Sequence, residues 1–291
     1  MKKSFLLTTL LILTINFSCQ EQESTVEPKA NLKEVSAFLS EMFTNTISHT
    51  VENIKLSENK GNVELNNPDI ITNYLTENYF PELSGRINFT PTTNARTSAD
   101  DEHFTDAQLL FISDMDKAMA NIRSAQNLQT VIDQFRSRAI NNLSMSDEQK
   151  IEMLAIVEYS NSLHDYLVNG GVSEFIEILP ESNGSISNGR VENGDEYEIF
   201  NCQVTEDNPS CSGGSSGCSV NWRSVWGSAV VGLAYGATTG AIAGGTAGTV
   251  VFPVVGTVTG AVSAGVVGGA IGFIEGAALG VVGNLLLTCG R

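Results

Sequence analysis

Between residues 232 and 280 a glycine returns at almost every fourth place: Gly232, Gly236, Gly240, Gly244, Gly248, Gly256, Gly260, Gly268, Gly272, Gly276 and Gly280. Only Phe252 and Ala264 stand in the series. Residues four apart share one face of an α-helix, so this spacing strips a face of its side chains. A bare face lets a second backbone approach closely, which is how small residues join helices in membranes. No charge lies between Arg223 and Glu275, so the bare face sits on apolar surface. A four-residue step is longer than the helical turn of about 3.6 residues; the ridge therefore drifts around the helix and favours a right-handed crossing.

These constraints predict that residues 218–291 double back at Pro253 as a glycine-rich antiparallel helical hairpin. Its arms, residues 228–251 and 254–274, both reach the roughly 20 residues needed to cross a bilayer. Trp222 and Trp226 stand one turn apart just before the first arm, where interfacial aromatics are expected. A rise of about 1.5 Å per residue puts Glu275 roughly 33 Å from the tip, near the opposite membrane surface. Glycine, alanine and threonine carry little transfer energy, so the arms are expected to associate, within one molecule and between several. A soluble alternative stands beside this: the pair buries its apolar face on the rest of the chain, and the glycines are core packing.

The formal net charge of −17 lies almost wholly upstream, because after Ser219 only Arg223, Glu275 and Arg291 are charged. An acidic soluble part lacks the lysine and arginine face that phosphates require, which excludes nucleic acid as a partner. At the other end, Lys2 and Lys3 followed by an apolar run over residues 5–15 have the anatomy of an export signal. Ser18-Cys19 closes it and resembles the lipobox of bacterial lipoproteins, which implies cleavage after residue 18 and acylation of Cys19. The following Gln20-Glu21-Gln22-Glu23-Ser24 resembles the acidic tract that sends Bacteroidota-type lipoproteins to the cell surface, so residues 19–30 read as a lipidated acidic tether.

With Cys19 assigned to lipid, Cys202, Cys211, Cys218 and Cys289 remain, an even number in an oxidising setting. Three pairings are open. A turn at Pro253 favours Cys218 with Cys289, which lie almost equally far on either side of it, and leaves Cys202 with Cys211 in a small loop.

Residues 31–180 read as a helical domain. Leu32, Val35, Leu39, Met42, Phe43 and Ile47 recur at helical steps behind an Asn31/Glu34 cap. Pro68 opens a second helix through Ile71 and Leu75 toward Phe80. Thr105 and Gln108 have capping-box spacing ahead of Leu109, Ile112, Met115, Met119 and Ile122. Ser146 and Gln149 repeat the device ahead of Met153, Ile156, Val157, Leu163 and Leu167, with Gly170-Gly171 as the stop. The whole is a mainly α chain, a bundle of about five helices followed by the hairpin. Residues 181–217, with Asn-Gly at 183, 188 and 193, form a linker carrying the disulfide loop and a short strand over residues 197–204.

Chemistry-bearing patterns are sparse. His49, His103 and His164 are scattered with no zinc spacing. Asp100, Asp101, Glu102, His103 and Asp106 lack the ligand spacing and glycine of a calcium loop and read as a solvated run ahead of a helix. His164-Asp165 reads as a helix boundary, and Ser212-Gly213-Gly214-Ser215 is no nucleophile elbow. The glycine series lacks the Gly-Lys-Ser/Thr ending of a phosphate loop. The reading is a non-enzyme with no cofactor and no metal.

The tail, through residues 232–248 and 256–280, is similar to the glycine-zipper domains of outer-membrane lipoproteins of the 17 kDa surface-antigen type. It also resembles bacteriocin-like peptides rich in G-x-x-x-G. The first resemblance implies a non-enzymatic lipoprotein, lipid-anchored to the outer membrane and possible at the cell surface, with the bilayer as partner. The second implies a membrane-permeabilising protein, and a soluble surface binding module is the third expectation.

Overall fold

The computed structural model describes residues 31–56, 68–86, 103–122, 125–178, 198–201, 219–245 and 248–288. Cys19, Cys202, Cys211, Cys218 and Cys289 lie outside them, as do the signal, the tether, the Asn-Gly pairs and Asp100, Asp101 and Glu102. The chain is mainly α, with six α-helices before the tail among the described residues and a C-terminal helical hairpin.

Helix α1 (Leu32–Leu56) starts where Asn31 bonds the Glu34 carboxylate at 2.7 Å. Its apolar stripe continues past Ile47 to Val51 and Ile54, all buried. Thr46 and Thr50 share that face because each hydroxyl donates to the carbonyl four residues earlier, at 2.7 Å, so no polar atom is buried unpaired there. Helix α2 (Pro68–Asn78) has proline at its first turn and delivers Phe80 to the core before a 3-10 turn at Pro81–Leu83.

Helix α3 (Asp106–Ala120) begins with the Gln108 side chain accepting from the Thr105 backbone at 3.1 Å. Helix α4 (Ala125–Asn141) was not anticipated, although Leu128, Ile132, Phe135 and Ala139 line its buried face at helical steps. Helix α5 (Asp147–Tyr166) opens with a complete capping box: Ser146 Oγ accepts from Gln149 N at 3.2 Å, and Gln149 Oε1 accepts from Ser146 N at 2.9 Å. Residues 151–160 are buried all round, so α5 is the central helix of the bundle.

At the expected stop the chain breaks and re-aims. A π turn at Leu167–Gly171 places Gly170 at φ 106°, which glycine adopts freely, and α6 (Val172–Ile178) follows. Two short antiparallel strands, β1 (Glu198–Asn201) and β2 (Ser219–Asn221), then join the expected strand region to the foot of the tail.

The tail is α7 (Trp222–Gly245), β3 (Thr249–Phe252), β4 (Gly256–Thr259) and α8 (Gly260–Thr288). The reversal falls at Pro253, but the arms do not run helically up to it. Thr249, Val250, Val251 and Phe252 pair antiparallel with Thr259, Val258, Thr257 and Gly256. β-Branched and aromatic residues favour a pleated backbone, and proline cannot donate within a helix, so this stretch closes as a β-hairpin. Gly260 N donates to Gly248 O at the base.

Helix α8 is the axis of the molecule. Every residue from 262 to 278 is buried, with α7 along one side and α5, α2 and α6 around the rest. Phe273 meets Phe43 of α1 and Trp226 of α7 edge-on, with ring centroids 5.6 and 6.2 Å apart. The bundle and the hairpin therefore share one continuous hydrophobic core.

Candidate functional site

The glycine ridges of α7 and α8 face each other backbone to backbone. Gly232 lies against Gly272, Gly236 against Gly268, Gly240 against Ala264 and Gly244 against Gly260, so the pairing runs antiparallel. A methyl group on Gly232, Gly236 or Gly240 would fall inside the carbonyl oxygen opposite it. The same holds in reverse for Gly268 and Gly272, and for Gly276 against the Ser228 carbonyl. Gly280 meets Val225, whose Cα would be 2.7 Å from an added Cβ. Both bare faces are thus consumed within one molecule.

The interruptions have distinct reasons. Ala264 keeps its methyl because Gly240 and Gly244 lie opposite it. Phe252 belongs to the β-hairpin and is buried between Phe38 and Phe80, with ring centroids 5.7 and 5.4 Å away. Gly248 and Gly256, expected to pack helices, lie outside them with φ of 74° and 97°; their role is to turn the chain. A second pair escaped the sequence reading: Gly265 and Gly269 lie on another face of α8, toward Ala237. Beside them the buried Tyr159 hydroxyl donates to the Val266 carbonyl at 2.8 Å and fixes α8 on α5. The one-step offset of Gly265 and Gly269 from the main series was the available signal.

Trp222 and Trp226 are not interfacial. Both are buried, Trp226 donating Nε1–H to Asp116 of α3 at 3.2 Å and Trp222 standing edge-on to His164 of α5. They pin the start of α7 to the bundle because each ring offers large apolar area and one donor to place.

Glu275 is 8% exposed, and its Oε1 has no hydrogen-bond partner. Burial disfavours the charged form and raises its pKa from 4.5 to about 7.

The bundle's other buried carboxylates are satisfied. Glu158 accepts from Arg136 Nε at 2.7 Å and Nη2 at 3.0 Å and also from the Ser36 hydroxyl. Glu152 accepts from Gln108 Nε2 at 2.6 Å and lies 3.1 Å from His103 Nε2. His49 stacks on Tyr74, and His164 sits 3.2 Å from Asp165. His49, His103 and His164 thus have different neighbours, and among the described residues no three His, Cys, Asp or Glu side chains gather as metal ligands. Asp106 lies exposed in the first turn of α3. Two cavities flank α8, one against α5 and α7 and one against α1 and α6, each of about 20 Å³. That is room for a water molecule and not for an organic substrate.

The remaining surface feature is the outside of the hairpin. Of the eight large apolar side chains most exposed among the described residues, five belong to the tail: Val231, Ile242, Val251, Val254 and Leu279. Val231 and Ile242 are three turns apart and share one face of α7, which carries no charge after Arg223. No known protein family, curated protein or solved structure matches the chain.

Proposed function

We propose that this chain is an exported, lipid-anchored, non-enzymatic protein of the outer membrane whose glycine-zipper hairpin associates with the bilayer. The observation that carries the reading is the uncharged, apolar outer side of α7, with Val231 60% and Ile242 68% exposed on a molecule that is otherwise strongly acidic. Scattered apolar residues on a surface are ordinary; five of the eight most exposed among the described residues fall on the hairpin, and such a concentration marks an interaction face. The glycine ridge supports the same reading from inside, because it joins α7 to α8 without side chains between them and leaves the larger residues of α7 free for other contacts.

Association in this form is peripheral. Helix α8 stays in the core, α7 rests on the surface, and the lipid on Cys19 supplies a second attachment. Flotation with phosphatidylcholine vesicles tests this, using the mature chain with Cys19→Ala so that no acyl group contributes. The parent is expected to float and Val231→Glu/Ile242→Glu to remain at the bottom. A parent that stays at the bottom as a detergent-free monomer refutes the proposal and leaves the soluble binding module. Rapid dye release from the same vesicles moves the function to permeabilisation.

A further inference from the structure

The turn joining β3 to β4 exposes apolar residues on a strained backbone. Val251 and Val254 are 57% and 52% exposed, and Pro253 and Val255 beside them are half-buried. Val254 has φ 63°, the one non-glycine residue with positive φ among the described residues. For a β-branched side chain that region is an outlier, and glycine or asparagine is the ordinary occupant of such a turn position. Two residues later the chain does use glycine at positive φ, Gly256. Valine at 254 is therefore unfavourable in water twice over, through its backbone and through its exposed methyl groups.

The turn is also held firmly. Phe252 is buried in the Phe38/Phe80 cluster, Gly260 N closes the base on Gly248 O, and Thr259 N donates to the Glu148 carboxylate at 2.9 Å. An exposed apolar tip on a rigid mount is suited to enter an apolar phase without rearrangement. The uncharged face of α7 leads toward it, since Ile242 lies one turn before the end of that helix.

We propose that residues 251–255 form an apolar wedge that enters the lipid bilayer and sets where the hairpin docks, a step that rests on the membrane association proposed above. The occupant is a bilayer: the tip is wholly apolar, and it offers no charged or hydrogen-bonding side chain to an anionic ligand. The tether supports the same choice: about a dozen residues separate the lipid-bearing Cys19 from α1, a reach of about 40 Å, which holds the domain beside a membrane. The acidic side chains of Glu82 and Glu148 near the hairpin's footing give no attraction to anionic headgroups, so wedge binding to phosphatidylcholine vesicles is insensitive to salt and binding to phosphatidylglycerol vesicles is no stronger.

The test separates strain from apolarity at one position. In the Cys19→Ala mature chain, Val254→Asn relieves the backbone and removes the methyl groups, so its thermal midpoint rises while its partition into phosphatidylcholine vesicles falls about tenfold. Val251→Ser with Val254→Asn lowers partition about a hundredfold. Partition unchanged by these substitutions, with Val231→Glu/Ile242→Glu still abolishing it, overturns the wedge alone. Absence of partition by the parent overturns the wedge and the membrane reading together. Binding that appears only with phosphatidylglycerol and vanishes with salt also overturns the wedge.

Discussion

Two glycines of α7, nine residues apart, are expected to respond to the same substitution with opposite sign. A Cβ on Gly236 would lie 2.8 Å from the Gly268 carbonyl carbon and 3.2 Å from Gly272 Cα, with the carbonyl oxygen closer still. Carbon atoms rest at about 3.5 Å or more, so Gly236→Ala forces the two helices apart by roughly 0.5–1 Å along the ridge. A gap of that size forfeits about a quarter to a half of each dispersion contact around it. Overpacking costs about 1–3 kcal/mol, and the upper end applies because the atoms met are backbone, which has no rotamer to yield. Alanine returns about 1 kcal/mol of helix propensity, leaving a net loss of about 2 kcal/mol. Gly227 has nothing within 4 Å, so Gly227→Ala keeps only the propensity gain and stabilises by up to about 1 kcal/mol. Urea unfolding of the purified chain, followed by circular dichroism, reads both from the shift in midpoint at constant slope. Equal shifts at 227 and 236, or stabilisation by both, would refute the claim that backbone contact decides these positions.

Three further outcomes follow from the bundle and the tail. Ionising Glu275 opposes folding, since the native state holds a proton that the unfolded chain has already released between pH 4.5 and about 7. Its contribution to stability therefore falls as pH rises through that window, by at most about 3 kcal/mol, and Glu275→Gln, compared with the parent across pH 4–8, removes this component. Arg136→Ala leaves Glu158, 2% exposed, with the Ser36 hydroxyl as its remaining partner among those described above, and should cost about 3–5 kcal/mol in chemical denaturation. Trp226→Phe keeps one aromatic ring but loses the bond to Asp116 and leaves the space of the second ring empty at a buried position, a loss of about 2–4 kcal/mol by the same measurement.

The parts of this fold that were legible in the sequence are those decided over three or four residues. The Ser146/Gln149 box, the Pro68 start and the Leu32-to-Ile47 stripe are local patterns, and the structure forms each where it was expected. Helix α4 carries the same spacing in Leu128, Ile132, Phe135 and Ala139 but has no proline, glycine or capping box to mark its start, so it went unread. In the tail the regularity of the glycines misled. The series runs through Gly248 and Gly256, where glycine serves positive φ, and this hid the β-branched runs on either side of Pro253. The tryptophans show a different limit. One apolar ring with one donor suits a membrane interface and a buried contact with Asp116 equally, and only the fold chooses.

The burial of α8 bears directly on the membrane association proposed above. Glycine ridges remove the side chains that would give a helix its affinity for hydrocarbon, so the closer the two backbones lie, the less apolar surface the pair offers to lipid. In this chain α8 finds its apolar contacts in α1, α2, α5 and α6 instead, and Tyr159 fastens it there through the Val266 carbonyl. Transfer of α8 into a bilayer would forfeit that core and expose the inner faces of the amphipathic helices to water, which sets a large barrier against insertion of the whole hairpin. The outer face of α7 and the tip at residues 251–255 carry no such penalty, because they are exposed already. Membrane contact through those residues, with α8 retained as the support beneath them, is the form of association that the fold permits without coming apart.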